Sequence, residues 1–257
     1  MLFFKKNIMD EKLSSLIGLL LSDGSVYYDK SKRTYCIQFT NKFELMRTRF
    51  KVLMNQLFGI TNFKENYCKG AISVRIFSTK VAEFLFHFSK SYRTLHYNTV
   101  PISFPPCKVS EEIKSSKILA AAFLKSYASC DGCIYFNPKY SIRYVEISCY
   151  HPQLRKDLAD CFKILEIKCR VTENSIIVSS REDLNKFYNF VGFLDESLIS
   201  KTTSRDFGMS KMKKLEIALS LKISRISPQP SGLPIGVPPS RGLVTRLQEG
   251  SVTLSPI

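Results

Sequence analysis

Apolar and polar positions along this chain follow two periods, and the same succession of periods occurs twice. The apolar run Leu16-Ile17-Gly18-Leu19-Leu20-Leu21 reads as a buried helix and is closed by Ser22-Asp23-Gly24. An aromatic stretch, Val26-Tyr27-Tyr28, and a polar turn come next. Tyr35-Cys36-Ile37-Gln38-Phe39-Thr40 then alternates strictly, which predicts a hairpin with one face on a core. Phe43, Met46, Phe50, Leu53, Met54 and Leu57 recur at helical steps. A second hairpin is predicted from residues 62–67 and 71–77, turning at Cys68-Lys69-Gly70, and a helix over 81–89 closes the segment.

The order returns at Cys130-Asp131-Gly132. Ile134-Tyr135-Phe136, a turn containing Pro138 and the strand Arg143-Tyr144-Val145-Glu146-Ile147-Ser148 follow. The interval from Asp23 to Thr40 equals the interval from Asp131 to Ser148. Leu154, Leu158, Cys161, Phe162 and Leu165 give the helical stripe, residues 168–172 and 175–179 the second hairpin, and 183–192 the last helix. Each half reads helix-strand-strand-helix-strand-strand-helix. That is an α+β class made of two pseudo-symmetric αββαββα repeats, each with one antiparallel sheet. The boundaries that follow are an N-terminal repeat over 1–108, a C-terminal repeat over 109–223 and a tail over 224–257. The tail holds 6 of the 11 prolines and 4 of the 11 glycines and no aromatic residue, which predicts disorder.

Composition narrows the class. Of 257 residues 44% are hydrophobic, enough for a core and too many for a disordered chain. No apolar run approaches the roughly 20 residues that cross a bilayer, so no membrane partner is expected. The N-terminus has two lysines but no apolar stretch behind them, unlike a secretory signal. Several of the eight cysteines lie inside apolar patterns, as Cys36 and Cys161 do. Reduced thiols and an intracellular, reducing compartment are expected. The formal net charge is +16, and the tail contributes only three arginines against Glu249. The basic excess belongs to the folded part and points to a polyanion, nucleic acid first.

A single Asp-Gly is an ordinary helix-ending turn. Two in register, each after an apolar helix, ask for a common role. Gly24 and Gly132 are expected to cap their helices, leaving Asp23 and Asp131 at C-termini, where the macrodipole disfavours a carboxylate by a few tenths of a kcal/mol. A divalent cation would offset that cost.

Leu16-Ile17-Gly18-Leu19-Leu20-Leu21-Ser22-Asp23-Gly24 resembles the LAGLIDADG motif of homing endonucleases, and Leu124-Lys125-Ser126-Tyr127-Ala128-Ser129-Cys130-Asp131-Gly132 resembles a second, degenerate copy. The likeness covers about residues 12 to 223 and is to the single-chain, two-motif members. It implies that the motif helices pair about a pseudo-two-fold axis, Gly18 and the alanines at 120–122 and 128 allowing close approach, and that the sheets are saddle-shaped. It implies Mg²⁺ held by Asp23 and Asp131, and hydrolysis of both strands of a double-stranded DNA site by a monomer, either encoded within a mobile intron or free-standing. Asn41 matches the amide that orders water, its counterpart being Cys149. Lys201, with Arg205 behind it, matches a central basic group.

By alternation Tyr35, Ile37, Phe39, Val145 and Ile147 face the core. The outward face carries Thr34, Cys36, Gln38, Thr40, Ser73 and Arg75 in the first half and Tyr144, Glu146 and Ser148 in the second. The resemblance lays this face in the DNA major groove, where Gln reads adenine and Arg reads guanine. Arg33, with Lys30, Lys32, Lys64 and Lys139, would reach the phosphate backbone from the hairpin tips. An RNA-splicing maturase acting on intron RNA, and a non-cleaving DNA-binding protein, are the alternatives on the same fold.

Other chemistries find less support. Cys130 and Cys133 form a C-x-x-C, but zinc needs two further ligands at matching spacing, and only three histidines are available. No phosphate-cradling glycine loop and no G-x-S-x-G is present.

Overall fold

A computed structural model of the chain describes residues 9–68, 70–94, 103–200 and 204–221. The segment Ser224–Ile257, expected to be a disordered tail, lies outside the described residues.

Helix α1 (Glu11–Ser22) starts where the Asp10 carboxylate accepts from the Leu13 N–H at 2.8 Å. Strands β1 (Gly24–Asp29) and β2 (Thr34–Asn41) form the first hairpin, with Val26 opposite Ile37. Helix α2 (Glu44–Phe58) ends at Gly59, whose φ of 68° supplies the left-handed stop. Strands β3 (Lys64–Cys68) and β4 (Ala71–Phe77) complete an antiparallel sheet in the order β1-β2-β4-β3. Helix α3 (Thr79–Phe86), capped by Ser78, follows.

The second half repeats this plan. A short α4 (Glu111–Ser115) leads into α5 (Lys117–Asp131), then β5 (Gly132–Asn137), a 3₁₀ turn and β6 (Ile142–Ser148). Helix α6 (Pro152–Ile164), strands β7 (Arg170–Val171) and β8 (Ser175–Val178), and α7 (Arg181–Lys186) come next. The second sheet has the order β5-β6-β8-β7, the same as the first. One constant offset relates Gly24 to Gly132 and the start of α2 to the start of α6. It then shortens, because the second distal hairpin has strands of two and four residues where the first has five and seven.

Helices α1 and α5 pack face to face at the centre. Ser14 Oγ donates to the Leu119 carbonyl at 2.7 Å, and the Ser15 and Ser126 hydroxyls meet at 2.6 Å. A side chain at Gly18 would stand 2.5 Å from the Phe123 carbonyl oxygen and 2.9 Å from Ser126 Cβ, so the missing side chain is what lets the helices touch. Lys125 is exposed and does not disturb this seam. The inner faces of both sheets, with Phe39 stacked on Phe50 and Phe162 on Phe187, join α1 and α5 in one core.

Gly24 and Gly132 end their helices as expected, Gly132 as the C-cap of α5 and Gly24 just past the C-cap Asp23, but without a left-handed turn: Gly132 has φ −90° and ψ 147°, and each begins a strand. Glycine is required there by crowding, since a Cβ would lie 2.5 Å from Leu20 Cα at Gly24 and 2.4 Å from the Ala128 oxygen at Gly132. The last helix of the second half starts at Arg181 and passes into a π turn, Phe187–Val191. A further helix, α8 (Lys211–Ser220), follows the repeat and packs on it through α7 and β5. Among the described residues no helix is long and apolar enough to cross a membrane. All eight cysteines are free, and Cys36, Cys107, Cys149 and Cys161 are buried.

Candidate functional site

The paired helices deliver Asp23 and Asp131 to the same end of the seam, between the two sheets. Asp23 is the C-cap of α1, and its carbonyl accepts from the Thr40 N–H at 3.0 Å, which ties the helix end to β2. Asn41 Nδ2 donates to Asp23 Oδ2 at 2.8 Å, while its Oδ1 accepts from the Phe43 N–H at 2.9 Å. Arg47, buried on α2, donates to the carbonyls of Asn41 and Lys42 at 3.0 and 2.9 Å and fixes this corner.

The second half repeats the corner with different donors. Arg155, the counterpart of Arg47 in the repeat, donates to the carbonyls of Cys149 and Tyr150 at 2.8 and 3.3 Å. Cys149 occupies the place of Asn41 but is buried, and the Tyr127 hydroxyl is the group that favours the charged form of Asp131.

Lys201 lies outside the described residues. The central cation described here is Lys211, at the start of α8 and only 9% exposed. Its Nζ donates to the Ser129 carbonyl at 2.8 Å, which also accepts from Ser197 Oγ at 2.7 Å. Sequence reasoning missed this lysine. Its signal was the buried stripe Lys211, Leu215, Ala218 at helical spacing. A cavity of about 260 Å³ is lined by Asp23, Asn41, Ser129, Cys130, Ser197 and Lys211 among others.

Burial governs the charges in this centre. It raises Asp23 above the ordinary carboxylate value, against hydrogen bonds from Asn41 and Cys130. It pushes Asp131 up to about 8, helped by the negative charge of Asp23 and opposed by Lys211 and Tyr127. It lowers Lys211 despite the carboxylates nearby. Lys211 makes no direct ion pair with either acid among the described residues. Two carboxylates that repel each other, at the negative ends of two helices and beside a cavity, suit a hard divalent cation. Among the described residues no group of three or more His, Cys, Asp and Glu side chains could hold a metal.

The sheet faces carry the remaining predicted residues. Thr34, Gln38, Thr40 and Arg75 are half-buried on the outward face of the first sheet, and Tyr144 and Glu146 on that of the second; Ser148 and Arg33 are exposed. Cys36 and Ser73 have the expected register, but both are 0% exposed and offer no surface to a ligand. Cys36 sits opposite Tyr27 in the strand pair, and Ser73 is covered by Thr40, whose hydroxyl lies 2.6 Å away. Tyr135 was not singled out in the sequence, yet it stacks on Tyr144 at 5.0 Å and is exposed beside it.

Comparison with known proteins agrees with this architecture. Residues 119–192 match the LAGLIDADG-like domain. The replication factor C small subunit of Methanocaldococcus jannaschii is 26% identical over 211 residues, covering 78% of this chain and 10% of that protein. That of Pyrococcus horikoshii is 23% identical over 193 residues, covering 75% and 19%. The chain thus spans a tenth to a fifth of the length of these relatives. Among solved structures, variants of the homing endonuclease I-DmoI superpose with a TM-score of 0.51 at 16% identity, covering 70% of this chain and 90% of theirs. I-DmoI in complex with DNA and Mn superposes with a TM-score of 0.50 at 15% identity, covering 70% and 96%. Two motif helices paired at the centre, one sheet per half in matching order and a match over residues 119–192 to the LAGLIDADG-like domain make this chain similar in fold to the two-motif LAGLIDADG proteins.

Proposed function

We propose that the chain is a sequence-specific endonuclease that binds double-stranded DNA across both sheets as a monomer and hydrolyses both strands with a divalent cation, Mg²⁺ being the expected ion. One observation carries the reading: Asp23 and Asp131, at equivalent places in the two repeats, meet at one end of the paired helices, with a buried lysine beside them. The I-DmoI structure with DNA and Mn, which shares this fold, supports both the partner and the ion class.

Asp23 and Asp131 would hold the metal, together with oxygens of the scissile phosphates and water. The ion would polarise the phosphate and lower the pKa of its bound water. Asn41 is a positioning residue: both ends of its amide are engaged, one on Asp23. Lys211 would set an ammonium donor beside the position where negative charge grows on the phosphate during hydrolysis. The basic surface supplies nonspecific affinity.

The test is cleavage of a randomised duplex library with Mg²⁺, comparing the parent with Asp23→Asn/Asp131→Asn. Double-strand cuts at selected sites by the parent alone, with binding retained by the variant, are expected. Cutting that survives the double substitution or metal chelation would place the chemistry elsewhere. Binding to structured intron RNA in place of duplex DNA would favour a maturase.

A further inference from the structure

The two sheets present different chemistry at equivalent positions. In the first, one transverse row of outward residues runs Ser25, Gln38, Arg75, Lys64. In the second, the matching row runs Cys133, Glu146, Ile177, Arg170. Gln38 and Glu146 occupy the same place in their repeats, opposite the second residue of β1 and of β5.

Gln38 is not free to read a base with both ends of its amide. Its Oε1 accepts from Arg75 Nε at 2.9 Å and, at 3.4 Å, from the Tyr27 hydroxyl. Since Arg75 Nε can only donate, the orientation of the amide is fixed. Its Nε2 then donates to Thr40 Oγ1 at 3.2 Å, and the Thr40 hydroxyl shares a hydrogen bond with that of Ser73 at 2.6 Å. Reading adenine requires an amide oxygen available to the N6 amine, and this oxygen is occupied. The chain of bonds from Ser73 to Gln38 instead grips Arg75 by its Nε. The two terminal guanidinium nitrogens carry no hydrogen bond among the described residues, and they form the fork that matches guanine O6 and N7.

Glu146 poses the opposite problem. Its Oε1 accepts from Ser175 Oγ at 2.8 Å, and it forms no ion pair among the described residues. A carboxylate on a surface facing a polyanion is repelled unless it meets a donor. In the major groove the donor such a side chain takes is the N4 amine of cytosine. The position of Arg75 is filled here by Ile177, so no cation competes for it.

Resting on the DNA-binding reading above, we infer that the two half-sites are read by different codes at this equivalent position: Arg75, aimed by Gln38, takes guanine, and Glu146, held by Ser175, takes cytosine. In a palindromic target, the two equivalent bases, each read on its own strand, would be identical. Guanine against cytosine makes this target asymmetric here. Gln38 acts as a positioning residue and Arg75 and Glu146 as specificity residues.

The experiment is selection of bound sequences from a randomised duplex library, using full-length Asp23→Asn/Asp131→Asn protein as the parent so that binding proceeds without cutting. The parent is expected to enrich guanine at one position and cytosine at its symmetry-related position. Adding Arg75→Ala should remove the guanine preference, a loss of about 10- to 100-fold in discrimination, and leave other positions unchanged. Adding Glu146→Gln should convert cytosine to adenine, because the amide gains a donor for N7. Gln38→Ala should weaken the guanine preference, and Gln38→Glu, which keeps an acceptor for Nε, should restore it; a merely structural role would not give that rescue. A parent that enriches a motif which Arg75→Ala and Glu146→Gln leave unaltered overturns the inference and leaves the binding function standing. A parent that enriches nothing overturns the proposed function and this inference with it.

Discussion

At the scale of single residues, the acidic centre opposes the stability of the fold that carries it. Asp131 is buried near Asp23, and its raised pKa states that folding disfavours its charge. Asp131→Asn keeps the shape and the Tyr127 partner while removing the repulsion. The metal-free protein should gain about 1–2 kcal/mol at neutral pH, a rise of roughly 2–8 °C in Tm for a domain of this size. Calorimetry in a chelator checks this, and a lower Tm would show that the charge is compensated within the fold. The two aspartates were legible in the sequence because an equal interval to each following strand recurs only if both are fixed by the same backbone plan. Lys211 was not legible as the central cation. It reaches the Ser129 carbonyl from far along the chain, and the sequence does not show which lysine the return of α8 would bury. Cys36 and Ser73 failed as surface residues for a related reason. Alternation assigns a face, but cover by Tyr27 and Thr40 depends on neighbouring strands.

At the scale of elements, the seam between α1 and α5 has little spare room. Gly18→Ala forces a methyl against the Phe123 carbonyl, and a cost of about 1–3 kcal/mol is expected, seen as a lower urea midpoint with an unchanged m-value. Ser126→Ala leaves the Ser15 hydroxyl without its cross-helix partner at about 1–2 kcal/mol, and Ser15→Ala/Ser126→Ala should cost less than the sum of the single changes. Additive costs would mean that the two hydroxyls do not bond. Helix α7 supplies a test in pH. Asp183 is buried, which works against its charge, but the Ser180 hydroxyl and the Lys168 N–H outweigh burial and hold its carboxyl below the ordinary value. A depressed carboxylate contributes stability that is present above its unfolded pKa of about 3.9 and is lost as pH falls through the folded value. Asp183→Asn should therefore be less stable by about 1 kcal/mol near pH 6, with the gap closing toward pH 3 in a series of thermal melts. Elements were readable where period and turn residues agreed, as in β1, β2 and α2. The shortened second hairpin and α8 were not, because nothing local says how far β7 extends or where a helix packs once the repeat is complete.

At the scale of the whole molecule, the two halves share a plan but not a surface. A cavity of about 650 Å³ at the edge of the first sheet is lined by Lys32, Lys64, Arg75 and Lys80, with the Lys32 ammonium 3.8 Å from the centre of the Phe77 ring. The second sheet carries the stacked Tyr135 and Tyr144 with Glu146 on its corresponding face. In the proposed complex with DNA, electrostatic affinity would be concentrated on the first half, whereas the second would add aromatic and hydrogen-bonding contacts that salt screens less. Each phosphate contact contributes about −0.9 to the slope of log K against log salt, so Lys32→Ala/Lys64→Ala/Lys80→Ala should flatten that slope by up to about 2.7. The change should be equal on specific and nonspecific duplexes, because phosphate contacts carry no sequence information. Replacing Tyr135 with Ala should weaken specific binding with the slope intact. Titrations over a range of salt concentrations, read by fluorescence anisotropy, separate the two effects. A triple lysine variant with an unaltered slope would move the phosphate grip off this edge of the sheet.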